Sequence, residues 1–168
     1  FWSLVVLGAV IALARFSEAF LVLRAAERGL PITYVPLVLV VMSVVYALSA
    51  YPAGRLSDRM PRSALLALGM AILAIADVAL ALAESYPLLF TGIALWGLHM
   101  GLTQGILASL ITDTTPAAYR GTAFGVFNLV AGVGLLLASA AAGWLWDSHG
   151  PAAAFWLGAI IAALAALL

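Results

Sequence analysis

The sequence contains no cysteine and no lysine, and charged side chains make up only 8% of its 168 residues. Without thiols there are no disulfides and no thiolate metal sites. The scarcity of charge excludes more, because a soluble domain carries about a quarter charged residues. Seven basic residues, all arginine, balance seven acidic ones, so the zero net charge gives no reason to expect nucleic acid or an acidic partner. A Gly-x-Ser-x-Gly element and a His-Glu-x-x-His pair are also missing, and neither His99 nor His149 has an evident nucleophile companion. An intramembrane hydrolase would therefore lack its chemistry, and no metal or cofactor is expected. No basic segment precedes the first apolar stretch, and apolar character resumes after Arg15 with Phe16, Ala19, Phe20, Leu21 and Val22. Ala12-Leu13-Ala14 is accordingly not read as a signal-peptide cleavage site.

What is present is apolar: 66% of the residues. About 20 such residues cross a hydrocarbon core, so this length holds six spans with short loops and no separate soluble domain. Long apolar runs and their breakers place helices at Trp2 to about Glu27, Tyr34 to Ala53, Ser63 to Ala83, Pro87 to Ile111, Arg120 to Trp146, and Pro151 to the end. Arg28 to Thr33 join the first two. Unpaired backbone cannot face lipid, so the polar clusters belong at the membrane surfaces. Arg55 to Arg62 and Asp113 to Arg120 fall on one side; Arg24 to Thr33, Glu84 to Tyr86 and Asp147 to Gly150 fall on the other. The first side holds four arginines and the second two, which makes the first cytoplasmic and both chain ends cytoplasmic. Tyr34, Tyr51, Tyr86, Tyr119, Trp144 and Trp146 sit near span ends, as interfacial anchors do. Phe1 and Leu168 both lie in apolar runs, so the sequence is expected to be a piece of a longer chain.

A shift of 89 residues superposes Ala53, Gly54, Leu56, Asp58, Ala64, Leu68 and Gly69 on Ala142, Gly143, Leu145, Asp147, Ala153, Leu157 and Gly158. The bundle 1–168 is then two repeats, about 1–83 and 84–168. Three helices in each make the second copy upside down relative to the first, an arrangement that transporters use to build alternating access.

The segment Gly54-Arg55-Leu56-Ser57-Asp58-Arg59-Met60-Pro61-Arg62 resembles the signature loop of the major facilitator superfamily, with Pro61 where that family usually has glycine. Gly54 would let its helix approach a neighbour closely, and Asp58 would accept from amides at a helix N-terminus. The resemblance implies that Gly54, Asp58, Arg59 and Arg62 form a gating loop that clasps the opposite half of a transporter. The run Pro116-Ala117-Ala118-Tyr119-Arg120-Gly121-Thr122-Ala123-Phe124-Gly125 is similar to the link between the family's helices ten and eleven. The six helices would then correspond to helices seven to twelve of a twelve-helix chain. The partners implied are the lipid bilayer, the missing N-terminal half or a second copy, a small solute and protons, in a bacterial inner membrane. Arg120, near a helix start, is expected to have no intramembrane acidic partner within this chain.

Ionisable groups inside spans cost about 2.5 to 3.5 kcal/mol on insertion scales. Arg15 and Glu18, three apart, share a face and can neutralise each other, or serve an anionic group and a proton respectively. On the fourth helix, at about 100° per residue, Trp96, His99 and Thr103 share a polar stripe with Gln104 at its margin, while Gly97, Gly101 and Gly105 form a packing face. His99 is a candidate proton carrier. Asp77 is expected to be a structural or proton site. Gly121 and Gly125 are expected to pack helices, and Asn128 on the same face to bond a neighbouring helix. The leading expectation is a secondary transporter of a small organic solute by alternating access, with proton-coupled efflux as its mode. A six-helix channel or a dimerising half-transporter is the alternative.

Overall fold

In lipid a backbone amide has no water to turn to, and a helix satisfies it internally. The computed structural model describes residues 1–167, all helices and turns with no strand among them. The helices are α1 (Trp2–Ala14), α2 (Ala19–Glu27), α3 (Pro36–Ser57), α4 (Arg62–Ala81), α5 (Tyr86–Thr114), α6 (Arg120–His149) and α7 (Pro151–Ala165). Single tight turns at Ile32–Tyr34 and Ala117–Tyr119 lead into α3 and α6. Pro36, Pro87 and Pro151 stand in first turns, where a missing N–H leaves nothing unpaired. Five stretches are long and apolar enough to cross a membrane: Trp2–Glu27, Ile32–Ser57, Arg62–Ala81, Tyr86–Thr114 and Ala117–His149. The sixth, α7, is apolar but has 15 helical residues.

α4 and α5 form the centre. α5 packs on α3 and α4, α4 also packs on α7, and α1 packs on α6 and α7. The core between them holds Leu73, Leu80, Ile93, Trp96 and Phe155. At one end of the bundle Tyr86 donates to the Gly29 carbonyl at 3.1 Å, while at the other Arg62 pairs with Asp113. The loops thus alternate between two ends.

The first span differs from expectation, because it is broken. Arg15 ends α1 with extended backbone (φ −114°, ψ 98°), and α2 begins only at Ala19. No proline or glycine lies at the break. Its causes are tertiary: Phe16 is buried edge-on against Phe20, Trp96 and Phe155, and the Ser17 amide donates to Ser139 Oγ of α6 at 3.0 Å. Ser17 Oγ in turn accepts from the Ala19 amide at 3.3 Å. Arg15 and Glu18 therefore do not share a helix face, and no ion pair joins them among the described residues. Arg15 instead sits at the negative end of the α1 dipole and Glu18 at the positive end of α2, each favourable alone.

Three further expectations change. α3 runs on past Ala53 to Ser57, so Gly54 is helical, and a Cβ there would meet nothing within 4 Å. Close approach belongs to other glycines. Gly97 and Gly101 seat α5 on the Met42 and Tyr46 carbonyls of α3, whereas Gly105, Gly121 and Gly125 have open space. Trp146 is an internal residue packed on Phe20 and Phe155, while Tyr51, Tyr119 and Trp144 are exposed as anchors should be.

Candidate functional site

α1, α5 and α6 diverge around a cleft of about 370 Å³. Its wall carries Arg15 at the end of α1, Thr103 and Gln104 on α5, and Phe124, Phe127 and Asn128 on α6. Aliphatic residues such as Ile11, Leu107 and Leu135 make up most of the remainder. Gly8 of α1 meets the Phe127 ring edge to surface, and Gly134 of α6 meets Ala12 and the Ala9 carbonyl. These two contacts hold α1 against α6, the helices that carry Arg15 and Asn128. Arg15 is the one charged residue on the wall among the described residues. Glu18 lies beside it in a small adjoining hollow with Phe16 and Ser17.

The polar stripe expected on α5 does not face this cleft. Gly92, Trp96, His99 and Thr103 turn toward α4, where Gly92 lies against Leu80 and the Ala76 carbonyl, and Gly69 lies against Thr103. Trp96 belongs to the aromatic core with Phe16. His99 is fully buried, its Nδ1 at 2.8 Å from the Gly69 carbonyl and its Nε2 without a partner among the described residues. The Thr103 hydroxyl donates to the His99 carbonyl at 2.9 Å, so Thr103 reaches the cleft only at its margin. α5 therefore has three faces: glycines to α3, Trp96 and His99 to α4, and Gln104, Leu107, Ala108 and Ile111 to the cleft.

Asn128, expected to tie two helices together, is exposed on the cleft wall. A compositional signal points to it. Asn128 is the only asparagine and Gln104 the only glutamine in the sequence, and both line this cleft.

Asp77 is completely buried, with neither carboxyl oxygen hydrogen-bonded among the described residues. It faces Gly158 of α7, where an added Cβ would strike its carboxylate and the Phe16 ring. At the end with the signature loop, Asp58 and Arg59 are exposed, and no side chain caps the start of α4. Arg62 is the member with a partner in this chain, Asp113 at the end of α5. Both are exposed, and such pairs contribute about 0–1 kcal/mol. Arg62→Ala is therefore expected to lower the unfolding free energy of the detergent-solubilised protein by under about 1 kcal/mol, measured by chemical denaturation. Arg120 is exposed. His149 does have a hydroxyl neighbour, since its Nδ1 lies 2.7 Å from Ser148 Oγ. That oxygen already donates to the Trp144 carbonyl at 2.6 Å, on the exposed end of α6.

The sequence profile of the Major Facilitator Superfamily matches residues 2–168. The chain belongs to the major facilitator superfamily. With its apolar helices it is part of an integral membrane protein, and the family is one of transporters and not of hydrolases. An MFS-type transporter of Methanocaldococcus jannaschii is 30% identical over 170 residues, covering 98% of this chain and 42% of that protein. An MFS-type transporter of Mycobacterium tuberculosis is 33% identical over 107 residues, covering 64% of this chain and 18% of that protein. The inner membrane transport protein YajR of Escherichia coli is 32% identical over 76 residues, covering 45% of this chain and 17% of that protein. The chain spans less than half the length of each of these superfamily relatives.

Proposed function

We propose that the chain is the C-terminal half of a secondary transporter that moves a small organic solute by alternating access, with the cleft between α1, α5 and α6 as its share of the substrate path. The observation that carries this reading is the cleft wall itself: a free guanidinium and the chain's two primary amides converge on an otherwise apolar surface. Binding sites for small molecules have this make-up, a mostly apolar lining with a few placed polar groups. The length of the relatives supports a second half opposite the cleft.

An inverted repeat is in keeping with the packing. α1 rests on α6 as α5 rests on α3, α7 on α1 as α4 on α5, and α4 meets α7 between the two sets. The end bearing Arg55, Arg59, Arg62 and Arg120 is assigned to the cytoplasm by its arginines, in a bacterial inner membrane. If protons drive efflux, Glu18 is the better carrier on the path, because it opens to the hollow beside Arg15 while His99 is sealed against α4.

The test is transport by the full-length protein in proteoliposomes. Gln104→Leu together with Asn128→Leu is expected to reduce solute flux at least about tenfold, the loss of two polar contacts at about 1 kcal/mol each, with the amount of folded protein in the membrane unchanged. Undiminished flux would remove the cleft from the substrate path.

A further inference from the structure

From the charge and shape of the cleft we infer that its solute is an amphiphilic organic anion: one carboxylate-like group on Arg15 and an apolar body along Phe124 and Phe127. This rests on the cleft being the substrate path.

The sign comes from what lines the wall. Arg15 is its one charged residue among the described residues, and no carboxylate lies within salt-bridge distance of it there. Nor does its guanidinium hydrogen-bond to protein among those residues, so its donors are free for a ligand. Glu18, the nearest acid in sequence, lines the adjoining hollow, which Arg15 also borders, and not the cleft. An ammonium ligand would meet a like charge in a poorly solvated site, whereas a carboxylate fits the planar guanidinium with two parallel hydrogen bonds. The break in the span also matters. At the last turn of α1, Arg15 projects from a chain end and not from mid-helix, and Ser139 holds the adjoining backbone. The backbone that carries the cation is thereby held in place before any solute arrives.

The rest of the wall selects the body. Phe124, Phe127, Leu107 and Ile111 offer two rings and branched aliphatic groups, while Gln104 and Asn128 can each donate and accept one bond to a neutral polar substituent. A cleft of about 370 Å³ on this half alone accommodates a ligand the size of a small drug.

The experiment uses the purified full-length transporter and three probes sharing one apolar body: 4-phenylbutyrate, 4-phenylbutanamide and 4-phenylbutylamine. Affinities are read by equilibrium dialysis. The acid is expected to bind about tenfold tighter than the amide, and the amine more weakly than the amide, from one charge-assisted contact. Arg15→Gln should weaken the acid about tenfold, to the level of the amide, and leave the amide within about twofold. Arg15→Lys should retain the acid-over-amine order, which separates charge from fold. Tighter binding of the amine, or an equal loss of all three probes in Arg15→Gln, would overturn the anion assignment and leave the transport path standing. Binding of none of the three in the wild-type protein would overturn the path itself.

Discussion

Replacing Arg24 with methionine is expected to cost the bundle about 3 kcal/mol, the range for breaking a buried charged hydrogen-bond group. Arg24 is 1% exposed, and its guanidinium donates to the Leu80 and Ala81 carbonyls at 2.9 Å each and to Glu27 at 2.7 Å. The two carbonyls belong to the last turn of α4, where that of Ala81 has no backbone partner among the described residues and that of Leu80 has only a long contact from the Ala83 amide at 3.4 Å. One side chain thus caps α4, complements its dipole and fastens α2 to it. Methionine keeps the length of the stem, leaves the Ala81 carbonyl unpaired and leaves that of Leu80 with only the 3.4 Å contact from Ala83. Arg28→Met is the comparison, since Arg28 reaches only Glu27, at 3.3 Å, from a partly exposed position, and should change stability by under about 1 kcal/mol. Denaturation of the two variants in detergent, followed by helical circular dichroism, would reverse this account if their midpoints fell together.

Gly97→Leu should destabilise by at least about 3 kcal/mol, at or beyond the usual upper end for overpacking, while Gly105→Leu should be close to neutral. A Cβ at Gly97 would run into the carbonyl group and Cα of Met42, which are backbone atoms of α3 and cannot swing aside. α3 and α5 would have to separate along the seam that Gly97 and Gly101 share. Gly105 lies one turn further along the same glycine row, yet it is exposed with nothing within 4 Å of a Cβ. The pair separates packing from propensity, because both substitutions replace a helical glycine by leucine. Equal thermal midpoints would show that the seam has enough slack to absorb the side chain.

Where the sequence carried a strong local signal, the fold was legible from it. Apolar runs bounded by Pro87, Pro151 and the arginine-rich loops gave the spans, and spacing by four gave Gly97 and Gly101 their packing face. The break at Arg15 to Glu18 was not legible because no breaker marks it; it depends on Phe16 finding Trp96 and Phe155, residues far off in the chain. For the same reason a stripe containing Trp96, His99 and Thr103 looked like a wet face. Polarity shows which side of a helix is unusual, and a carbonyl such as that of Gly69 can satisfy it as well as water does. Arg24 appeared to belong to a surface cluster, since nothing local announces that the end of α4 will lie over it. Within the site, Arg15 and Gln104 were found from their chemistry, while Asn128 was placed on the wrong surface because its face also carries Gly121, Gly125 and Gly132.

The divided first span has a mechanical meaning. α2 is pinned by Arg24 to the end of α4, the central helix, whereas α1 is joined to it only through Arg15, Phe16 and Ser17. A crank with one arm clamped can turn only its other arm. Any bending of this span therefore turns α1 about the Phe16 pivot together with α6, to which Gly8 and Ala12 hold it, changing the separation of both from α5 across the cleft while the guanidinium stays near the axis.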